Sequence, residues 1–172
     1  MKLILMMAMT VDGIIAKDKN QNADWTTKAD KKAFIAETKK HGAIIMGDTT
    51  FEAMGRKSLP GRLNFILSFT PEKYKEVEVP GQLEFYKGST QEIVDCLANK
   101  GFESVILGGG ASVNASFLEA GLVDEILITV EPKVFGRGMN FTEGKDLDLN
   151  LKLLEVNELG EEAVQLRYQI IK

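Results

Sequence analysis

The residues with the clearest chemical potential are three consecutive glycines, Gly108–Gly110. They follow an apolar, β-branched run, Val105–Leu107, and precede a segment compatible with a helix. A glycine turn between a strand and a helix exposes backbone N–H groups, so it can hold a phosphate at the positive end of the helix. The spacing fits neither G-x-G-x-x-G nor the P-loop pattern. The motif therefore favours a nucleotide cofactor, while a simple tight turn remains the alternative.

Composition excludes several classes of function. The 172 residues carry a net charge of −4, which argues against general nucleic-acid binding, and no apolar run reaches membrane-spanning length. We therefore expect neither a nucleic acid nor a membrane as a partner. The single cysteine, Cys96, excludes an internal disulfide and suits a reducing cytoplasm. One histidine with one cysteine cannot build a typical zinc site, so no metal is expected.

The chain length and its start bear on domain organisation. A chain of this length is expected to form one domain, residues 1–172, with a substantial core. The apolar start, Met1–Met9, lacks a convincing cleavage site, so we interpret it as a buried first strand rather than a signal peptide.

Segments with strand character alternate with helical segments, and the chain ends in a hairpin that turns at Gly160. The predicted strands span residues 2–9, 43–46, 63–67, 82–86, 104–107, 125–130, 151–156 and 163–170. The predicted helices span residues 27–41, 49–55, 89–99 and 112–120. This order predicts an α/β fold with a mixed sheet. Ligands then bind at the carboxyl ends of the parallel strands, where Gly47 and Gly108 lie.

Two sets of motifs resemble enzymes of the dihydrofolate reductase-like fold. The set that resembles dihydrofolate reductase comprises Gly47–Arg56, Leu59–Arg62, Ile66–Ser68, Val11, Asp12, Trp25 and Asp30. The set that resembles the C-terminal reductase domain of the riboflavin-pathway deaminase/reductase, and its stand-alone bacterial relatives, comprises Thr10–Ala16, Gly108–Asn114, Phe117–Glu125, Pro132 and Gly136–Gly138. The resemblance covers nearly the whole chain. It implies a three-layer α/β/α fold with a mixed, mostly parallel sheet and a C-terminal antiparallel hairpin.

The resemblance also implies NADPH in a groove between two glycine turns. By position, the residues that would bind the phosphates are Gly47, Thr50, Gly109, Gly110, Ala111 and Ser112. Ala8 and Ile15 would border the nicotinamide, and Ser68 would lie towards the adenosine phosphate. Short side chains and helix N-termini suit anions, although Thr49 or Thr50 also fits a simple helix N-cap.

Asp48 departs from the pattern of dihydrofolate reductases, which usually carry an arginine there that pairs with the 2′-phosphate of NADPH. A carboxylate repels a phosphate, so NADH remains possible beside NADPH. Binding of the 2′-phosphate by another basic residue is a second explanation. A protein that kept the fold and binds a nucleotide or other ligand without catalysis is a third.

Acidic residues bear on the chemistry that the resemblance implies, which is reduction of a C=N bond with hydride going to carbon and a proton to nitrogen. Asp30 matches the substrate-pocket carboxylate of dihydrofolate reductase, and Thr129 matches the threonine that contacts it. We predict that this pair orients the substrate and supplies the proton through water. The alternative is structural, because Asp30 also fits a capping box that begins at Thr27.

Three further residues are predicted to contact the substrate. Trp25 shields the nicotinamide pocket or anchors its loop, and Phe34 faces the same pocket as Asp30 or belongs to the core. Lys31 is predicted to bind a sugar phosphate, and the alternative is that it lies on a solvent-exposed face of the helix.

The sequence therefore predicts a cytoplasmic NAD(P)H-dependent reductase acting on a small pyrimidine- or pteridine-like molecule. The closer resemblance is to a 5-amino-6-(5-phosphoribosylamino)uracil reductase, with dihydrofolate reductase as the alternative. We also predict a homodimer, in which a second copy covers strand 125–130 and the final hairpin.

Overall fold

Eight strands form a single sheet in this computed structural model, which describes residues 1–172. The strands are β1 (Lys2–Thr10), β2 (Ala43–Gly47), β3 (Leu63–Leu67), β4 (Leu83–Tyr86), β5 (Ser104–Leu107), β6 (Glu125–Glu131), β7 (Leu151–Gly160) and β8 (Ala163–Ile170). Their order is β4-β3-β2-β5-β1-β6-β8-β7. The first six strands in this order are parallel, and β8 and β7 add an antiparallel hairpin. The predicted mixed, mostly parallel sheet is confirmed.

Four α-helices connect the parallel strands: α1 (Lys28–His41), α2 (Asp48–Ala53), α3 (Thr90–Asn99) and α4 (Ala111–Glu119). Thr27 caps the start of α1, and Gly42 ends it in the left-handed region at φ 73°. None of the helices is long and apolar enough to cross a membrane.

The final hairpin differs from its prediction at the turn. The sequence predicts a turn at Gly160, but strand pairing continues to Gly160 and Ala163. The two-residue turn therefore falls on Glu161 and Glu162, both at positive φ. The carboxylate of Glu161 accepts a hydrogen bond from the backbone N–H of Ala29 at 2.8 Å, which ties this turn to the start of α1.

Helices cover both faces of the sheet, which gives the three-layer arrangement. Along each parallel strand, successive side chains point to opposite faces, so both faces must be apolar. One face packs against Phe34 of α1 and Phe51 of α2 and includes Ile4, Met6, Ile44, Met46, Ile66, Ile106 and Leu127. The other face packs against α3 and α4 and includes Leu3, Leu5, Ile45, Phe65, Val105, Leu107, Ile126 and Ile128.

The chain leaves the neighbouring strands β2 and β5 in opposite directions. After β2 it continues into α2 on one face, and after β5 it continues into α4 on the other face. Diverging connections open a crevice at the carboxyl ends of such strands, and ligands of open α/β sheets bind there. The sheet topology therefore points to the end of β2 and β5 as the binding edge.

Strand β7 at the edge of the sheet exposes apolar side chains. Leu151, Leu153, Leu154 and Val156 are all exposed, with 42–56% of their surface accessible. The prediction that strand 125–130 adds to an open apolar surface is wrong. This strand lies within β6, between β1 and β8, and its side chains Ile126 and Ile128 are buried in the chain's own core.

Candidate functional site

Two glycine turns meet in the crevice between β2 and β5. The backbone N–H of Gly47 donates to the carbonyl oxygen of Gly109 at 2.8 Å. A Cβ atom placed on Gly110 would lie 3.1 Å from the hydroxyl oxygen of Thr50, across the gap. The turns Gly47–Thr50 and Gly108–Ser112 therefore share one edge of the sheet, as a common cofactor site requires.

The groups in this crevice fit a diphosphate. The N-termini of α2 and α4 open into it, and the N-cap of α4 is Gly110, with no side-chain cap. The N-cap of α2 is Gly47, so the interpretation of Thr49 or Thr50 as the N-cap is wrong, and both threonines lie inside the first turn. Ala111 follows Gly110 and is buried, which keeps bulk away from the turn.

Asn114 is a residue of this crevice that the sequence analysis missed. Its side chain is fully buried in α4, and neither amide atom has a hydrogen-bond partner. Its Nδ2 atom lies 3.5 Å from the position that a Cβ on Gly109 would take. Buried amides are normally hydrogen-bonded. The Asn114 amide is therefore an unsatisfied donor and acceptor directly beside the glycine turn. Its spacing from Phe117 and Leu118 was the available signal, because it puts Asn114 on the buried side of the helix.

Ser112 is engaged by an acidic side chain. Its hydroxyl donates a hydrogen bond to the carboxylate of Glu143, which lies on the long segment between β6 and β7. A bound phosphate and Glu143 would repel each other, so the predicted contact between Ser112 and a phosphate requires Glu143 to move away.

Ser68 lies at the end of β3 and is also bound to a carboxylate. Its hydroxyl donates to Asp48 at 2.7 Å, and the backbone N–H of Thr70 donates to the same hydroxyl oxygen at 3.1 Å. The Ser68 hydroxyl therefore has no free proton to donate to an adenosine phosphate, as the predicted direct contact requires, because it already donates to Asp48.

A second group of polar side chains lies at the ends of β1 and β6. Glu131, the last residue of β6, has no exposed surface, and its carboxylate accepts two hydrogen bonds from the backbone N–H of Thr27, each at 3.1 Å. The Thr27 hydroxyl donates to Glu131 at 3.1 Å and accepts from the backbone N–H of Asp30 at 3.2 Å. Glu131 thus fixes the first turn of α1, which carries Asp30.

The capping-box alternative for Asp30 is wrong. A capping box requires its carboxylate to bind the backbone N–H of Thr27, but Glu131 takes that N–H. Asp30 is 7% exposed, yet its carboxylate oxygens are not among the buried atoms without a partner, and no group of the chain donates to them. The carboxylate therefore keeps contact with solvent and is free to accept a hydrogen bond from a ligand.

No direct hydrogen bond joins Asp30 to Thr129, and contact between them through one water stays a prediction. The Thr129 hydroxyl instead accepts from the amide of Gln165 on β8 at 3.3 Å. Thr129 and Glu131 are two residues apart on β6 and lie on the same face, beside Ala8 and Thr10 of β1. Glu131, which the sequence analysis missed, is therefore the β6 residue bound to the start of α1.

The acidity of Glu131 is altered by this environment. Burial raises the pKa of Glu131 above its ordinary value and the charge of Asp30 adds to this, while the hydrogen bonds from Thr27 oppose the rise. The buried carboxyl of Glu131 is therefore less acidic than that of an ordinary glutamate.

Replacing Glu131 by Gln should change how stability depends on pH. A raised pKa in the folded state adds stability that is present below the unfolded value of 4.5 and lost as the pH rises through the folded pKa. We expect the free energy of unfolding of the wild type to fall relative to Glu131→Gln as the pH rises from 4.5 to neutral. Urea unfolding at a series of pH values measures this difference.

Glu125→Gln on the same strand is the matched control. The ion pairs with Lys2 and Arg167 lower the pKa of Glu125 despite its burial, so its contribution is present above 4.5 and lost as the pH falls. The two variants should therefore show opposite pH trends, and parallel trends would contradict the assignment for Glu131.

The loop after β1 and the 133–139 segment after β6 are held together by hydrogen bonds. The carboxylate of Asp12 accepts from the N–H groups of Phe135 and Gly136 at 3.2 and 2.6 Å. The N–H of Ile15 donates to Met139 at 2.8 Å. Ile15, predicted to border the nicotinamide, therefore lies on a loop that the 133–139 segment holds in place.

The predicted substrate residues lie on α1 and just before it. The ring of Trp25 packs edge-on against Phe135, with 5.0 Å between centroids, and its Nε1–H is buried without a partner. The Lys31 ammonium donates to the carbonyl oxygen of Asp24 at 3.1 Å, and Phe34 packs partly buried against the core on the α1 face. Trp25 thus anchors its loop and still offers one hydrogen-bond donor.

Two surface hollows, of about 520 and 440 Å³, lie beside Asp124 and Ile170 and beside Gly42 and Gly61, at the amino ends of the strands. No three His, Cys, Asp or Glu side chains are grouped so as to hold a metal ion.

This sheet order, with glycine turns ending β2 and β5, defines the dihydrofolate reductase-like fold. The structure is similar to dihydrofolate reductase from Enterococcus faecalis complexed with NADP(H), with a TM-score of 0.77, 22% identity and coverage of 99% of this chain and 97% of that chain. It is also similar to a diaminohydroxyphosphoribosylaminopyrimidine deaminase/5-amino-6-(5-phosphoribosylamino)uracil reductase from Thermotoga maritima, with a TM-score of 0.80 and 19% identity. That match covers 99% of this chain and 56% of the longer one. At these identities the similarity shows the fold.

The sequence identifies the family within this fold. Residues 1–62 and 66–165 match the model of the RibD C-terminal domain, so the chain belongs to this family, the reductase family that its motifs resemble. The uncharacterized protein YyaP of Bacillus subtilis (strain 168) is 27% identical over 177 residues, covering 97% of this chain and 94% of YyaP. The bifunctional dihydrofolate reductase-thymidylate synthase of Paramecium tetraurelia is 34% identical over 93 residues, 52% of this chain and 20% of that protein.

Proposed function

We propose that this protein is a reductase that transfers hydride from a reduced nicotinamide dinucleotide to a C=N bond of a small pyrimidine- or pteridine-like substrate. The observation that carries the proposal is the crevice where the two glycine turns touch, together with Asp30 on the first turn of α1, which Thr27 and Glu131 hold at the end of β6 along the same edge of the sheet. One site offers backbone N–H groups for a diphosphate, and the other offers a carboxylate that is free to accept.

Each group has a chemical part in this proposal. A reduced nicotinamide, when bound, supplies the hydride. Gly109 and Gly110 present backbone N–H groups to its diphosphate without a side chain in the way. The Asp30 carboxylate accepts hydrogen bonds from the N–H groups of the substrate ring and orients a water molecule, which donates the proton to the ring nitrogen and is re-protonated from solvent.

The supporting residues keep this geometry in place. Glu131 and Thr27 hold the first turn of α1, so the Asp30 carboxylate has a fixed position relative to β1 and β6. Trp25 and Phe34 supply apolar surface around the ring, and the Nε1–H of Trp25 is an unused donor. Lys31, with two ammonium donors beyond its bond to Asp24, is suited to a sugar phosphate.

Substrate tests distinguish the members of this class. The decrease in absorbance of the reduced cofactor is followed with dihydrofolate and, separately, with the deaminated pyrimidine precursor of riboflavin. We expect turnover of the pyrimidine, in line with the family. Turnover of dihydrofolate alone would assign the protein as a dihydrofolate reductase. Turnover of neither, without dinucleotide binding in a titration, would instead favour a non-catalytic binding protein.

We further propose that the protein acts in the cytoplasm as a homodimer formed through β7. Its open edge and its apolar residues Leu153 and Val156 provide an unpaired surface that a second copy covers. Light scattering at micromolar concentration should give twice the chain mass of 19.0 kDa. Leu153→Lys with Val156→Lys should give a monomer, while Val134→Lys, at an exposed valine elsewhere, should not change the mass. A monomeric wild type would contradict this proposal.

A further inference from the structure

The two halves of a dinucleotide in the crevice would run towards different parts of the sheet. Asp30 lies beside the ends of β1 and β6, on one side of the glycine turns, so the nicotinamide half runs towards β1. The adenosine half then crosses β2 towards β3, which Ser68 follows. Neighbouring strands are ~4.8 Å apart, so the path from β1 over β5 and β2 to β3 is about 14 Å long, the scale of an extended dinucleotide.

The groups at the adenosine end of this path accept hydrogen bonds and have no proton to donate. Asp48 is the first residue of α2, and one of its carboxylate oxygens accepts from the Ser68 hydroxyl at 2.7 Å. Ser68 is buried, and its oxygen accepts from the N–H of Thr70. The hydroxyl proton is thus committed to Asp48, while the second oxygen of Asp48 has no partner in the chain.

Arg56, after the end of α2, and Lys73, between β3 and β4, are already paired with another carboxylate of α2, that of Glu52. Arg56 binds Glu52 through two hydrogen bonds, at 2.6 and 2.8 Å, and Lys73 lies 3.4 Å from the same carboxylate. Hydrogen bonds from Arg56 contribute most to lowering the pKa of Glu52 to about 2. Glu52 lies one helical turn after Asp48. Because Arg56 and Lys73 pair with Glu52, and no cation forms an ion pair with Asp48, the charge of Asp48 stays unpaired.

Two exposed side chains flank this position. Phe69 directly follows Ser68 and is 87% exposed, so its ring offers an open face on which a purine can stack. Lys87 directly follows β4, whose Tyr86 carbonyl accepts from the N–H of Ser68 at 3.0 Å, and Lys87 forms no ion pair. Lys87 is therefore the competing candidate for binding a 2′-phosphate.

We propose that Asp48, held by Ser68, determines cofactor specificity by selecting a dinucleotide with a free 2′-hydroxyl on its adenosine ribose, so that the protein prefers NADH to NADPH. This inference rests on the proposed function. The ribose hydroxyl donates to the free oxygen of Asp48, as acidic residues do in other NAD sites. A 2′-phosphate would bring up to two negative charges against a carboxylate that no cation neutralises.

Binding titrations with NADH and with NADPH test the proposal without any substrate. Trp25 is the single tryptophan of the chain, so energy transfer from it to the reduced nicotinamide reports binding. We expect the dissociation constant for NADPH to exceed that for NADH about tenfold or more in the wild type. Asp48→Asn should bring the two constants close together, and Asp48→Arg should favour NADPH by forming a phosphate pair.

Phe69→Ala is the control for the position of the adenine. It should weaken both dinucleotides by the same factor and leave their ratio unchanged, because stacking does not distinguish them. A wild type that binds both dinucleotides equally, or that binds NADPH more tightly, would overturn the selection and leave the reductase proposal standing. An unchanged ratio of the two dissociation constants in Asp48→Asn would do the same. Loss of tight NADPH binding in Lys87→Ala would also overturn it. Binding of neither dinucleotide would remove the proposed function and this inference together.

Discussion

Asp30→Asn should lower the rate of hydride transfer about a hundredfold or more, the range expected for a lost acid–base group. The amide keeps the size of the side chain and leaves Thr27 and Glu131 bonded to each other, because neither uses the Asp30 carboxylate. The dissociation constant of the reduced cofactor should not change, since the glycine turns lie apart from Asp30. Single-turnover kinetics on a confirmed substrate, together with a cofactor titration, measure the two effects separately.

Asp95→Asn is the matched control for this substitution. Asp95 lies exposed on α3, on the opposite face of the sheet, so the same chemical change should leave hydride transfer unaltered. An unchanged rate in Asp30→Asn would mean that the proton comes from another group and that Asp30 only supports the start of α1.

Gly110→Val should weaken dinucleotide binding about a hundredfold or more, because binding to the exposed N–H groups requires a free gap between the turns. A Cβ at this position already lies 3.1 Å from the Thr50 hydroxyl, so the two methyl groups of valine fill the space that a diphosphate needs. The φ of Gly110 is −68°, which valine adopts without strain, so the fold should persist. Fluorescence titration measures binding, and thermal unfolding without ligand checks the fold.

Ser116→Val separates a loss of binding from a general effect on α4. It adds the same side chain to the exposed side of that helix and should leave the affinity unchanged. Tight dinucleotide binding by a folded Gly110→Val variant would remove the crevice as the phosphate site.

The fold was predictable because its strands are buried on both faces. Runs such as Ala43–Met46 and Val105–Leu107 are continuously apolar, and each is followed by glycine, which marks the carboxyl end of a buried parallel strand. Two strands, β3 and β4, lie between β2 and β5 in the sequence, so the sequence alone does not show that β2 and β5 are neighbours in the sheet. That adjacency brings the two turns together, and it followed only from the resemblance to a known fold.

The group of polar side chains around Asp30 and Glu131 was predictable only in part. Asp30 was found through the family motif, but its partner was assigned to Thr129, because local sequence does not show which residue of β6 reaches the start of α1. Glu131 ends an apolar strand and precedes Pro132, a context that resembles an ordinary strand end. The alternation of Leu127, Thr129 and Glu131 on one face was the signal for its burial. The effect on its acidity depends on tertiary packing.

The position of β1 in the middle of the sheet affects how the protein is made. Its two neighbours, β5 and β6, are translated about a hundred residues later, with Lys2 paired to Ser104 and Ile4 to Glu125. The hydrogen bonds between Thr27 and Glu131 likewise join residues 104 positions apart. A chain emerging from the ribosome therefore carries the apolar strand β1 with both edges open until β5 and β6 have been made. Such long-range pairing slows folding, and the exposed edges make the growing chain a substrate for chaperones.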